Sequence, residues 1–112
     1  MARRAICHLR LEAMPKQVAR VGDGVRYVCR RGKHTFQGIG RITRGSRNDF
    51  VDGKAMALDG GACNCGPCGI GIIRATAVHH GNGRKIARIG DLVRIVAGRA
   101  KIIRASVKTR AR

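Results

Sequence analysis

Three cysteines lie close together in the stretch CNCGPC, at Cys63, Cys65 and Cys68, and His79 follows Cys68 by eleven residues. Three thiolates and one imidazole form a tetrahedral ligand set that suits zinc, and the intervening Gly and Pro suit a tight knuckle. The spacing is Cys-x-Cys-x-x-Cys and not two separated Cys-x-x-Cys pairs, so the same thiols could instead be buried and free. These four residues therefore define one hypothetical zinc site, and no cofactor is predicted with certainty.

Few side chains are suited to acid–base catalysis. The chain has six Asp and Glu residues. Two of them, Asp23 and Asp91, follow Gly in matching turns, where a carboxylate is expected to cap backbone amides. No glycine-rich loop of the kind that cradles nucleotide phosphates is present. Cys65 and Cys68 form a Cys-x-x-Cys pair, so thiol redox chemistry is the enzymatic alternative. We predict that the protein is not an enzyme.

The cysteines are expected to be reduced. The chain contains five of them, an odd number that cannot pair completely, and the sequence carries no secretory signal, which argues against a disulfide framework. Cys7 and Cys29 alternate with apolar residues and are predicted to lie in the core.

Positive charge dominates the composition. Twenty-four Lys and Arg against six Asp and Glu give a net charge of +18, and self-repulsion of this size destabilises a fold unless a polyanion neutralises it. Arg outnumbers Lys, and the guanidinium fork suits bidentate contact with phosphate. No amphipathic helix with bulky apolar residues is visible, so a nucleic acid is predicted as the partner and a membrane is not. The predicted RNA-binding residues are Arg3, Arg4, Arg10, Lys16, Arg20, Arg30, Arg31, Lys33, Arg41, Arg44, Arg47, Arg84, Lys85, Arg88, Arg104, Lys108, Arg110 and Arg112.

Short strands are the elements that must position these side chains. Helical periodicity is weak, whereas β-type runs recur between Gly or Asp turns. In the run 101–108, Ile103 and Ala105 share one face while Arg104 and Lys108 share the other, so that one strand can cover a core and meet phosphate. The predicted strands cover residues 5–11, 24–29, 38–44, 54–59, 69–77, 91–97 and 101–108.

Two decapeptides are nearly identical. ARVGDGVRYV covers residues 19–28, ARIGDLVRIV covers residues 87–96, and seven of the ten positions are the same. Three interpretations are open: convergence on a common Val-Gly-Asp type of turn, a partial duplication, or a substitute strand supplied by residues 84–112. The last two are compatible, and the substitute strand would remove an exposed sheet edge by closing a barrel.

Five segments within residues 2–77 resemble, in order, the universal large-subunit ribosomal protein fourteen family. They are ARRAICHLRL, ARVGDGVRYVCRRGK, GIGRITRGSR, DGKAMALDGGAC and GIGIIRATA. The first strand of that family is absent, Gly61 and Gly71 replace its Asn and Arg, and residues 79–112 do not match its ending. The resemblance implies a mainly β fold. A small five-stranded β-barrel with basic loops would cover residues 1–78, and a basic C-terminal extension over residues 79–112 would complete or pack on it.

The resemblance also implies a function. The chain would be a structural constituent of the large ribosomal subunit near its intersubunit face. It would bind large-subunit rRNA and neighbouring ribosomal proteins and reach small-subunit rRNA across the interface. Sequence divergence, the missing strand and the basic extension favour a mitochondrial ribosome, on analogy, and another ribosome-containing compartment is the alternative location. The alternatives are a stand-alone zinc-containing RNA-binding module and another small-barrel ribosomal protein of the protein-twenty-four type.

Overall fold

The structure is a computed structural model, and it describes residues 16–111. Within this range the chain forms short β-strands and one 3-10 turn, Gly66–Cys68, and no α-helix, so the predicted mainly β class is confirmed. No helix among the described residues is long and apolar enough to span a membrane. The strand predicted over residues 5–11 lies outside the described residues. The strands are β1 (Lys16–Gln17), β2 (Gly24–Arg31), β3 (His34–Ile42), β4 (Phe50–Val51), β5 (Lys54–Ala55), β6 (Ala62–Asn64), β7 (Ile70–Arg74), β8 (His80–Gly81), β9 (Arg84–Lys85), β10 (Leu92–Arg94), β11 (Gly98–Ile102) and β12 (Arg110–Ala111).

Six of these strands close into an antiparallel barrel in the order β10-β11-β2-β3-β6-β7. The barrel therefore has six strands where five were expected. It consists of three hairpins, β2–β3, β6–β7 and β10–β11, each joined to the other two by further strand pairing. Strands from both sides of residue 78 take part, and the division of the chain into 1–78 and 79–112 stays a prediction.

Alternation of side chains gives the barrel an apolar interior. In β2, Val25, Tyr27 and Cys29 are buried, whereas Arg26 and Val28 between them are exposed. Successive side chains of a strand point to opposite faces, so one short strand lines the core and also presents charge to solvent. Other fully buried interior side chains are Ile42, Ile73 and Ile102.

A second layer lies at the end of the barrel where β2, β6 and β10 begin. We call it the base layer, and it is formed by residues 18–20, 56–58 and 86–88. Each segment bridges the other two, through the pairs Val18↔Arg88, Arg20↔Met56 and Leu58↔Ile86.

A ring of hydrogen bonds lies at the centre of the base layer. The backbone N–H of Ala19 donates to the carbonyl of Ala87, that of Ala87 to Ala57, and that of Ala57 to Ala19, each at 2.9 Å. All three alanines are fully buried. Because each segment donates to one neighbour and accepts from the other, the fold has pseudo-threefold symmetry around this ring.

The same glycine turn follows each segment of the base layer. Gly22, Gly60 and Gly90 have φ angles of 94°, 81° and 86°, which glycine adopts without strain. Each donates its N–H to a barrel strand, at 2.8 Å, with Ile42, Ile73 and Ile102 as the acceptors. The turn therefore carries the chain from the base layer into the barrel in all three repeats.

Three two-stranded sheets accompany the base layer, namely the hairpins β4–β5 and β8–β9 and the strand pair β1–β12. The first two turn at Asp52 and Asn82, which have positive φ and precede Gly. The third is built from the two ends of the described chain, because Lys16 pairs with Ala111. Residues 102–111 and 16–23 together thus form one repeat that is equivalent to residues 42–61 and 73–91.

Candidate functional site: the two ends of the pseudo-threefold axis

A polar network lies at one corner of the base layer. Arg20 donates through Nε and Nη2 to Asp23, at 3.0 and 2.9 Å, and through Nη1 to Asp52, at 2.8 Å. The Ser106 hydroxyl donates to the same Asp52 oxygen at 2.6 Å. The hydrogen bond to Asp23 raises the pKa of Arg20, and those from Ser106 and Arg20 lower the pKa of Asp52. The network ties hairpin β4–β5 to the repeat that is split between the two chain ends.

Arg88 occupies the position that matches Arg20 in the second decapeptide. Its side chain is buried, and it donates to the carbonyl of Ala111 at 3.3 Å and to Thr76 Oγ1 at 3.2 Å. Its backbone N–H donates to Asp91 at 2.8 Å, as that of Arg20 does to Asp23. Burial raises the pKa of Asp91, although the backbone N–H of Arg88 and the hydroxyl of Thr76 donate to its carboxylate. Both arginines are therefore engaged by partners within the fold.

The three repeats each expose one large apolar side chain near the base layer. Phe50 belongs to β4, Val78 precedes β8, and Val107 precedes β12. Their side chains are 63%, 72% and 75% exposed. Their positions are not equivalent, because Phe50 begins β4 as His80 begins β8 and Arg110 begins β12, but each repeat has one such side chain. Exposed large apolar side chains favour an interaction surface.

The opposite end of the barrel, which we call the apex, is formed by the turns within its three hairpins. Cys29 at the end of β2 forms a disulfide with Cys68 in the 3-10 turn, and Arg31 donates to the carbonyl of Pro67 at 2.8 Å. A cavity of about 470 Å³ opens between the three turns. Its lining comprises Arg30, Arg31, Gly32, Cys68, Gly69, Val96 and Ala97.

The structure does not assemble the hypothetical zinc site. Cys68 is consumed by the disulfide, Cys63 and Cys65 are buried free thiols in the barrel core, and His79 lies just before β8. Burial, followed by the neighbouring Cys65, raises the pKa of the Cys63 thiol to about 12, and burial also raises that of Cys65. Within residues 16–111, no three His, Cys, Asp or Glu side chains are grouped so as to hold a metal ion. No cofactor is established for the chain.

The disulfide itself corrects the expectation of reduced cysteines. Cys29 is buried, as predicted, but its sulfur is bonded to Cys68, which is 39 residues away. The pairing is long-range, so neither the odd cysteine count nor the spacing within CNCGPC could indicate it. Cys7 lies outside the described residues.

The predicted RNA-binding residues do not converge on one face. Arg3, Arg4, Arg10 and Arg112 lie outside the described residues, and Arg20 and Arg88 are engaged in the base layer. The others are exposed and are distributed over the barrel, the apex and the short hairpins. They are Lys16, Arg30, Arg31, Lys33, Arg41, Arg44, Arg47, Arg84, Lys85, Arg104, Lys108 and Arg110.

The prediction omitted five exposed cations that lie on the barrel strands. In β2 and β10 the cation stands between two buried residues, as Arg94 does between Val93 and Ile95. This alternation was the signal in the sequence that could have identified them. The omitted residues are Arg26, Arg74, Arg94, Arg99 and Lys101.

Comparison with known proteins gives one family. A family model for the PAAR motif matches the chain twice, over residues 11–70 and over residues 35–95, and the two matches overlap. Neither the curated proteins nor the solved structures contain a significant match to the chain.

The PAAR match overturns the ribosomal interpretation. PAAR is a family of type VI secretion spike tips, which associate with the VgrG spike and with effectors, and not a ribosomal family. The resemblance to ribosomal protein fourteen, the role in the large subunit, the rRNA and ribosomal-protein partners and the mitochondrial location are therefore wrong. The segments of that resemblance that lie within the described residues are strand and Gly-turn patterns that suit any small β-barrel.

The repeated segments of the base layer agree with the two overlapping family matches. The chain places Ala-x-x-Gly in all three segments of the base layer, at residues 19–22, 57–60 and 87–90. Each of the two matches spans more than half of the 112 residues, and the chain belongs to the PAAR motif family.

Proposed function

We propose that the protein forms the tip of a type VI secretion spike, with its base layer seated on the end of a VgrG spike and its apex pointing away. The observation that carries this proposal is the hydrogen-bonded ring of Ala19, Ala57 and Ala87. The ring makes a single chain present three equivalent segments around one axis. PAAR proteins associate with the VgrG spike, and this geometry supports the same partner here.

A pseudo-threefold chain is suited to cap a partner with a threefold-symmetric end. Each repeat can then make an equivalent contact with one partner subunit, and no subunit is left without a counterpart. The exposed side chains of Phe50, Val78 and Val107 supply one apolar contact in each repeat, at positions that differ between the repeats. We therefore expect one copy of this chain to bind an assembly of three VgrG subunits.

The role requires shape and binding, and it needs no catalysis. We accordingly expect no enzymatic activity, as the scarcity of placed acids and bases suggests. The basic C-terminal segment contributes to the proposed contact because it contains β12, which pairs with β1 beside the base layer. The basic turn at residues 30–33 lies at the apex, outside the proposed spike contact.

The test is reconstitution of the complex from purified chain and purified VgrG from the same genome. Size-exclusion chromatography with light scattering is expected to give one complex with three VgrG subunits and one copy of the chain. The triple variant Phe50→Asp, Val78→Asp, Val107→Asp is expected to lose binding by about 100-fold or more, because three charges would be placed in an apolar contact.

Val96→Asp is the matched control, since Val96 is exposed at the apex and is 85% accessible. Its binding to VgrG should be unchanged. Absence of a complex with the wild-type chain, or equal loss of binding in the base and apex variants, would overturn the proposal.

A further inference from the structure

We propose that the outer wall of the barrel is a binding surface for membranes rich in anionic phospholipid. The outer wall is the exposed face of the six barrel strands together with the turn at Val96 between β10 and β11. It is separate from the base layer, so this inference goes beyond the proposed spike contact and does not depend on it.

The outer wall exposes large aliphatic side chains. Ile39, Ile70 and Leu92 are 64%, 72% and 64% exposed, and Val96 projects from the turn after β10. Val28 and Ile72 add two partly exposed side chains of the same kind. Six exposed large aliphatic side chains on a barrel of this size favour a surface that becomes covered when a partner binds.

Cations stand directly beside these apolar side chains across the strands. Leu92 is the Cα partner of Arg74 on β7 and of Lys101 on β11. The same arrangement recurs in the pairs Arg94↔Ile72, Arg26↔Ile39 and Arg99↔Val28. The wall is therefore a mosaic in which each exposed aliphatic side chain of these pairs has a cationic neighbour.

No acidic residue interrupts the mosaic. The acidic residues within 16–111 are Asp23, Asp49, Asp52, Asp59 and Asp91, and all of them lie outside the six barrel strands. The charged side chains of the six barrel strands are therefore all Lys or Arg, and a negatively charged surface is complementary to them.

This combination fits a lipid surface better than a nucleic acid. Lys and Arg can reach headgroup phosphates while neighbouring aliphatic side chains enter the acyl boundary. Single-stranded nucleic acids are bound on aromatic platforms, and the exposed apolar side chains of the wall are aliphatic and cannot stack on bases. A membrane was not expected from the sequence because no amphipathic helix was visible. A strand whose outward side chains alternate with buried ones can present the same chemistry with a period of two.

The experiment is flotation of the full chain with vesicles of phosphatidylcholine alone and of phosphatidylcholine mixed with phosphatidylglycerol. Binding is expected only to the mixed vesicles. The variant Arg26→Gln, Arg94→Gln, Lys101→Gln should lower the partition coefficient by about 100-fold, since each cation near an anionic surface contributes about one factor of five. The variant Ile39→Ser, Ile70→Ser, Leu92→Ser should lower it by about tenfold or more.

Each variant has a matched control at the other end of the molecule. Arg47→Gln, Lys54→Gln, Lys85→Gln removes the same charge from exposed positions outside the barrel, and Phe50→Ser, Val78→Ser, Val107→Ser removes exposed apolar side chains near the base layer. Both controls are expected to retain most of the binding. Equal binding to neutral vesicles, or equal losses in wall and control variants, would overturn the proposal.

Two further measurements keep the test decisive. If a wall variant fails to fold, amide exchange of the wild-type chain replaces it, and vesicles should protect β7 and β10 while leaving β4 and β8 unchanged. If duplex or single-stranded nucleic acid displaces the protein and the aliphatic variant binds vesicles like wild type, the wall is a general polyanion site and the inference fails.

Discussion

Single residues of minimal size allow the three repeats to meet. At Ala19, Ala57 and Ala87 the backbones approach closely enough to exchange hydrogen bonds at 2.9 Å, and each methyl group is completely buried. A larger side chain at any of these positions has to be accommodated in a core that is already packed. The need for a small residue is indicated at Ala19 and Ala87, because both decapeptides begin with Ala. Ala57 lies in a segment whose sequence differs from that of the decapeptides.

Ala57→Val is expected to destabilise the protein by about 2 kcal/mol, because overpacking forces the ring to open or the neighbouring side chains off their rotamers. The measurement is the free energy of unfolding in urea. Ala62→Val is the control, since Ala62 is only partly buried in β6, and it should change stability little. If Ala57→Val leaves the free energy of unfolding unchanged, the ring can accommodate a larger side chain and the prediction is wrong.

The Cys63 thiol makes stability depend on alkaline pH. Its pKa rises from the ordinary value of 9.0 to about 12 in the fold, so above pH 9 the unfolded chain loses a proton that the native protein keeps. Stability is therefore lost as pH rises above 9, by up to about 1.4 kcal/mol per pH unit from this group. In Cys63→Val, which carries the residue found at the equivalent positions Val25 and Val93, this contribution should vanish. Unfolding titrations between pH 8 and about 10.5 that give parallel losses in both proteins would contradict the assignment.

At the scale of elements, alternation and glycine turns predicted at least part of every barrel strand except β6, and only the last two residues of β11. The predicted strands at 24–29 and 91–97 overlap β2 and β10, and that at 69–77 contains β7. The prediction over 54–59 was only partly met: β5 ends at Ala55, and the chain then enters the base layer. The barrel closes because strands from all three repeats pair with one another around the axis. Side-chain alternation with period two indicates where a strand lies, but it does not indicate how many strands the barrel contains.

The disulfide is the strongest single link between elements. It joins β2 to the 3-10 turn across a separation of 39 residues, and a loop of that length corresponds to a stabilisation of about 4 kcal/mol. The variant Cys29→Ala, Cys68→Ala is expected to lose about this amount relative to the oxidised wild type. Adding a reductant should destabilise the wild-type protein and leave the variant unchanged, and a variant as stable as the oxidised protein would contradict the prediction.

At the scale of the whole molecule, the three repeats are equivalent in structure but not in sequence. Arg20 and Asp23 of one copy correspond to Arg88 and Asp91 of another, whereas the third copy has Leu58 and Gly61 at these positions. The copies at residues 19–28 and 87–96 look like a duplicated strand. The copy that begins at Ala57 differs from them at the positions of Arg and Asp. In the sequence, the third copy is therefore marked only by the shared Ala-x-x-Gly at residues 57–60, and the ribosomal resemblance was wrong.

Removal of residues 104–112 should damage the whole fold and not only one edge. It deletes β12 and the buried Ser106, whose N–H donates to Val18 and whose hydroxyl donates to Asp52. One third of the base layer then loses its outer partner, and we expect a loss of about 3 kcal/mol or more in the free energy of unfolding. Amide exchange at Ala19 and Ala87 is the measurement. If the protection of these amides is unchanged, the hydrogen-bonded ring is stable without the β1–β12 pair and the prediction is wrong.

The pairing of Lys16 with Ala111 has a consequence for anything fused to this chain. The entrance and the exit of the described polypeptide are strand neighbours, while the apex is made only of internal turns. A segment fused directly to residue 16 and another fused directly to residue 111 would both begin at the paired strands β1 and β12. Neither fused segment would begin at the apex.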